Sequence, residues 1–250
     1  MDELKWTPEE VMTIVAARHF RNDAMTFVGV GQPSVAACVA RLLYAPELTL
    51  VYESGAIGAK PTVAPLSIAD SELAETADVV VSVPEIFKYW LQRGCINAAF
   101  LGTAQIDRFG NLNTTVIGDY SKPKVRLPGA GGAPEIASSA KEVFVIVRQT
   151  PKAFVAKLDF ITTVGRRKAL AGVITDLGVL RPDRITEELV LTECYPGVSL
   201  DEIRAATGWE LKVAPTLKET PAPTEIELAA LRDLQERTEI AHRGRGTFDI

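Results

Sequence analysis

"AMTFVGVGQPSVAACVARLLYAPELTLVYESG", residues 24–55, decides the fold. It opens on an unbroken apolar run, Met25 to Val30, and turns at Gly31 to Pro33. A small-residue segment begins at Ser34 and stops near Ala45 and Pro46. A second apolar run follows, Leu48 to Tyr52. Neither run alternates polar with apolar residues, as expected of parallel strands covered on both faces. The segment between them has the length of a crossover helix, so the stretch reads as a βαβ unit. The second strand ends abruptly on an acid, Glu53, followed by Ser54 and Gly55.

The pattern continues on both sides. Upstream, "WTPEEVMTIVAARHF" carries Thr7 as cap, Pro8 in the first turn and Glu10 to complete a capping box. Val11, Ile14 and Val15 recur at helical spacing. Downstream, Asp78 to Val83 reads as a strand, "EIFKYWLQRG" (85–94) as a helix and "INAAFLGTAQID" (96–107) as another strand. "RFGNLNTTVIGD" (108–119) is a tight turn at Gly110–Asn111 followed by a polar strand. "PGAGGAPEIASSA" (128–140) is a glycine-rich loop whose end starts a helix. "EVFVIVRQT", "FVAKLDFIT", "GVITDLGVL" and "LVLTECYPG" add four strand-like segments. "SLDEIRAATGW" is a helix capped by Ser199, and Thr224 with Glu227 caps a final helix. Such alternation predicts an α/β fold with an open, mostly parallel sheet covered by helices, the closing strands adding antiparallel pairs. With no internal repeat and no long linker, residues 1–250 read as one domain, with 1–7 and 243–250 as mobile termini.

Composition narrows the chemistry. A formal net charge of -5 argues against a nucleic-acid partner held by phosphate neutralisation. No window approaches a membrane span, and the acidic N-terminus lacks a signal peptide's apolar stretch, so a cytoplasmic protein is expected. Cys38, Cys95 and Cys194 are far apart and form no CxxC pair, which fits reduced thiols and no metal site. His19 and His242 are the two histidines, and neither has a motif around it. Carboxylates are left as the obvious reactive groups.

Ligands of open α/β sheets bind at the carboxyl ends of strands, and Glu53 falls at such an end. A carboxylate there serves as base, metal ligand or nucleophile, or is a solvated turn acid. Gly129, Gly131 and Gly132 of "GAGGAP" form either a loop with exposed N–H groups for an oxyanion or an ordinary flexible loop. Gln105, Asn111 and Asn113 bring amides that bind ligands without reacting, or that build turns. Lys60, Lys122, Lys124 and Arg126 pair with substrate anions or are solvated. Gly29 and Gly31 lack the third glycine of a dinucleotide fingerprint.

Together, "VYESGAIGAKP", "AQIDRFGNLNTTVIGDY" and "RLPGAGGAPEIA" resemble the β-subunit signatures of class I coenzyme A transferases, glutaconate branch, from about residue 8 to about residue 240. Within it, "YESGAIGAKPTVAPLSIADSELAETAD" and "YSKPKVRLPGAGGAPEIA" are most similar to chains serving 3-oxoadipate in aromatic catabolism. The resemblance implies a fold of the CoA-transferase type, with Glu53 as a nucleophile that carries CoA as a glutamyl-CoA thioester. It implies backbone N–H groups at Gly131 and Gly132 as oxyanion donors. Ser54 and Gly55 would set the turn, and Gln105, Asn111, Asn113 and Gly129 would shape the pocket. It implies succinyl-CoA as donor and 3-oxoadipate, or a related dicarboxylic acid, as acceptor, with Lys60 or the partner holding the distal carboxylate. No permanently bound cofactor and no metal is implied. The family's other half is not in this chain, so an α subunit is the expected partner in a hetero-oligomer. The segment "TTVGRRKALAGVITDL" is shorter than the glycine-rich loop the branch usually carries there. An acyl-CoA hydrolase or decarboxylase on the same fold, and a non-catalytic binding module, are the alternatives.

Overall fold

The computed structural model describes residues 6–165 and 169–243. Of the termini expected to be mobile, 1–7 and 243–250, residues 1–5 and 244–250 lie outside the described residues, as do 166–168 of the shortened loop. The chain divides into two compact units.

The first unit holds residues 6–102, 139–141 and 223–243 of the described chain. Helix α1 (Pro8–Ala17) starts at the expected capping box, Thr7 and Glu10 each bonding the other's backbone N–H. His19 lies just past it, its Nδ1 2.8 Å from the Val15 carbonyl oxygen. Strand β1 (Met25–Val28), helix α2 (Gln32–Leu43) and strand β2 (Thr49–Val51) form the βαβ unit, with β1 and β2 parallel. The helix starts earlier than Ser34, because Gly31 at φ 78° turns the chain sharply enough for Pro33 to sit in the first turn. Strand β3 (Ala56–Ile57) returns antiparallel to β2. A short helix α3 (Ser71–Glu75) precedes strand β4 (Val79–Val80), antiparallel to β3.

Two expectations need correction here. The strand expected over Asp78 to Val83 is shorter, because the Ser82–Glu85 capping box already bends the chain into a helical turn. The helix expected over 85–94 begins as the single turn α4 (Val83–Glu85) and becomes a π-helix, Ile86–Leu91. Hydrogen bonding from i to i+5 aligns residues five apart, and Ile86 and Leu91 are both fully buried. Strand β5 (Ala98–Gly102) then pairs parallel with β1, giving the order β5-β1-β2-β3-β4.

The second unit holds residues 103–138, 142–165 and 169–222 of the described chain. Strands β6 (Gln105–Ile106) and β7 (Leu112–Asn113) form a hairpin, and β8 (Val116–Gly118) and β9 (Pro123–Arg126) form a second ribbon. Helix α5 (Ala133–Ser139) follows the glycine-rich loop as expected. Strands β10 (Glu142–Ile146), β11 (Leu170–Ile174), β12 (Gly178–Pro182) and β13 (Leu189–Cys194) lead to helix α6 (Leu200–Ala205), capped by Ser199, and strand β14 (Lys212–Glu219). The order is β14-β13-β12-β11-β10. Pairing is parallel for β10–β11 and β13–β14 and antiparallel through β11–β12–β13. The α/β fold with antiparallel closing pairs therefore stands.

"FVAKLDFIT" is not a strand; Phe154 and Thr163 make single bridges that lock the β6–β7 hairpin from either side. "GVITDLGVL" is two strands, since the Thr175 hydroxyl accepts the N–H groups of Leu177 and Gly178 and turns the chain. Finally helix α7 (Glu225–His242) returns to the first unit. Leu228, Leu231 and Leu234 bury its inner face, and Arg18 grips Glu227 through two bonds of 2.7 and 2.8 Å.

Candidate active site

Glu53 sits at the tip of the hairpin joining β2 to β3. Tyr52 N–H donates to the Ala56 carbonyl, and Gly55 N–H donates back to the Tyr52 carbonyl, both at 2.9 Å. That is a three-residue hairpin loop, Glu53–Ser54–Gly55, whose last residue takes a left-handed conformation. Gly55 has φ 101°, and a Cβ there would lie 1.9 Å from the Val81 carbonyl oxygen. The chain after β4 also donates from Val81 N–H to the Gly55 carbonyl at 3.0 Å. The hairpin is thus clamped on one side by backbone, and glycine is required where the clamp closes. Glu53 and Ser54 are half-buried, while Tyr52 beneath them is fully buried. Burial holds the Tyr52 phenol above its ordinary range, and burial pushes the Cys38 thiol up to about 12, so neither supplies an anion at neutral pH.

Lys60 follows the hairpin. It is exposed, and its Nζ lies 2.5 Å from Asp78 Oδ1. An exposed pair of this kind exchanges readily for another anion, since such pairs contribute little stability.

The amides expected to shape a pocket lie in the second unit. Gln105 and Asn113 are joined directly, Asn113 Nδ2 donating to Gln105 Oε1 at 2.8 Å. Asn113 is fully buried; it also donates to the Val116 carbonyl and accepts the N–H groups of Thr115 and Val116. Its hydrogen-bonding capacity is spent on Gln105 and on the backbone, so it shapes the chain leading from β7 to β8. Gln105 Nε2 donates to Asp159, which also takes the Gly118 N–H. Asn111 ends the β6–β7 turn, donating to Asp107 Oδ2 and accepting the Gly165 N–H. Gly129, at φ 103°, is tied to Thr114 by two bonds of 2.8 Å. Gly131 is exposed at φ 47°, and Gly132 is buried, its carbonyl accepting the Ile136 N–H of α5.

Glu53, Ser54, Gly55 and Lys60 therefore share the first unit, and Gln105, Asn111, Asn113, Gly129, Gly131 and Gly132 share the second. Three supporting residues escaped the sequence reading. Asp107 was recoverable, since an Asp opening a turn that closes on Gly-Asn is a local signal. Asp159 and Val81 were not, because their partners are distant in sequence.

The chain matches the Coenzyme A transferase family over residues 10–206, most of its length. It belongs to the coenzyme A transferase family. This transferase chain is 55% identical to the β-type subunit of 3-oxoadipate CoA-transferase from Pseudomonas knackmussii, over 96% of this chain and 98% of that one. It is 32% identical to the β-type subunit of glutaconate CoA-transferase from Acidaminococcus fermentans, over 91% and 92%. The crystal structure of that organism's glutaconate CoA-transferase superposes with a TM-score of 0.84 at 28% identity, covering 93% of this chain and 95% of that one. The decarboxylase AibA/AibB superposes at 0.81 with 27% identity, over 90% and 93%, so the fold hosts a second chemistry. The chain is a CoA-transferase β subunit, an enzyme component and not a binding module. Among the described residues, no helix is long and apolar enough to cross a membrane.

Proposed function

We propose that this β subunit serves an enzyme moving CoA from succinyl-CoA to 3-oxoadipate through a thioester on Glu53. The observation that supports it is Glu53 at the tip of a backbone-clamped hairpin, in a chain 55% identical to a 3-oxoadipate CoA-transferase subunit. The Glu53 carboxylate attacks the succinyl-CoA carbonyl, forming a mixed anhydride and releasing CoA thiolate. The thiolate attacks the glutamyl carbonyl of that anhydride, giving glutamyl-CoA thioester and succinate. A carboxylate of 3-oxoadipate then attacks the thioester, and the returning thiolate takes the acceptor's acyl carbon and frees Glu53. Splitting one difficult transfer into two is the benefit of the covalent step.

A carboxylate is a weak nucleophile, so its position must be fixed before reaction; the Gly55–Val81 clamp does this. The N–H groups of Gly131 and Gly132 are the assigned oxyanion donors, with Gln105, Asn111 and Asn113 shaping the pocket. Lys60 is assigned to the distal carboxylate of a dicarboxylic substrate, exchanging Asp78 for it. An α subunit completes the enzyme, and the site of action is the cytoplasm. CoA enters only as a substrate thioester.

Two-substrate kinetics test this reading. Varying succinyl-CoA at several 3-oxoadipate concentrations must give parallel double-reciprocal lines, the signature of a ping-pong sequence. Converging lines, or acyl-CoA consumed with no acceptor present, would contradict it, the latter favouring a hydrolase or decarboxylase.

A further inference from the structure

The β8–β9 ribbon carries Lys122, Lys124 and Arg126, all exposed, and none of the three forms an ion pair among the described residues. The carboxylates of Asp119 and Asp159, beside the ribbon, bond N–H groups rather than these cations. Asp119 accepts the N–H groups of Ser121 and Lys122 in the ribbon's turn, and Asp159 accepts those of Gly118 and Gln105. Lys124 and Arg126 stand two residues apart on one strand, so both point to the same face, about 7 Å apart along it. Arg126 is anchored on that face. Arg126 donates to the Tyr120 carbonyl at 2.9 Å with its guanidinium 4.9 Å from the Tyr120 ring centroid, and Tyr120 stacks on Phe160 at 5.4 Å.

Exposed cations that pair with no carboxylate side chain among the described residues suit a ligand carrying several negative charges. The ribbon also continues into the glycine-rich loop, with Leu127 N–H on the Thr115 carbonyl and Gly129 N–H on that of Thr114. Arg126 is followed five residues later by Gly131, at most about 18 Å of extended chain. CoA has this charge layout: an uncharged pantetheine arm separates the reacting thioester from a pyrophosphate and a 3′-phosphate.

We infer that Lys122, Lys124 and Arg126 form the subsite for the phosphates of the CoA nucleotide, while the glycine loop serves the thioester end. This deepens the transferase reading and rests on it.

The test is calorimetric titration of CoA, and separately of pantetheine, onto the complex with the α partner, for wild type and Lys122→Gln/Lys124→Gln. Both lysines are exposed, so the variant keeps its fold, and Arg126→Lys serves as a charge-preserving control. CoA binding is expected to weaken about tenfold in the double variant, with pantetheine binding unchanged. The KM for succinyl-CoA should rise in parallel while kcat stays constant. Unchanged CoA affinity overturns the assignment, as does equal weakening for pantetheine. Loss of co-elution with the partner overturns it too, and marks the ribbon as a protein interface. A wild-type complex that binds CoA but transfers none would overturn the transferase reading instead, leaving the ribbon decided by the titration alone.

Discussion

Gly55 does for Glu53 what no other residue type can. Its left-handed φ and the 1.9 Å approach to Val81 both exclude a side chain. Gly55→Ala is therefore expected to destabilise the protein by on the order of 2–4 kcal/mol and to displace the acid. Thermal unfolding and turnover measured together check this; a variant with wild-type melting and full activity would refute the clamp. Glu53→Gln keeps size and polarity, so it should melt normally yet lose on the order of a thousandfold or more in activity. Much of the candidate site was legible in single residues. An acid where an apolar run stops, followed by Ser-Gly, marked Glu53 from a few consecutive letters. The clamp was invisible because Val81 lies far along the chain, and so was the network that consumes Asn113's hydrogen bonds.

Helices and strands show where reading by pattern works. Caps at Thr7, Ser199 and Thr224 all formed where expected, each as a capping box, because a cap is chemistry within four residues. Failures came where tertiary context decides. The π-helix buries both Ile86 and Leu91, and β14 went unread because Pro215 and three charged residues disguise it. It ends the strand order, where proline and charge are tolerated. Helix α7 adds a pH prediction. Burial alone would raise the Glu227 pKa, but hydrogen bonds from Arg18, Tyr44 and Thr224 outweigh it and bring it down to about 2. Its stabilisation is thus fully present above the ordinary carboxylate range and is lost as pH falls from about 4.5 toward 2. Melting curves should show Glu227→Gln well below wild type at pH 7, with the gap narrowing by pH 3. A gap independent of pH would show that the carboxylate's charge contributes nothing.

Across the whole molecule, the residues assigned to catalysis are divided between two compact units, Glu53 in one and the glycine loop in the other. The α/β class followed from apolar runs alternating with capped helices, whereas the strand order required the structure. The chain's relatives are named as subunits, so this chain alone is expected to be inactive and its complex with an α chain to transfer CoA. Assaying the isolated chain and then adding the partner checks this; full activity without it would show that no α subunit is needed.

A covalent intermediate on Glu53 underlies the proposed mechanism, and mass spectrometry tests for it directly. The complex is incubated with succinyl-CoA and no acceptor, denatured, and the β chain weighed and digested. A CoA-sized adduct is expected on the peptide containing Glu53, with succinate released and the adduct lost on adding 3-oxoadipate. Turnover with an unmodified Glu53 peptide, or an adduct that persists in Glu53→Gln, would contradict the mechanism.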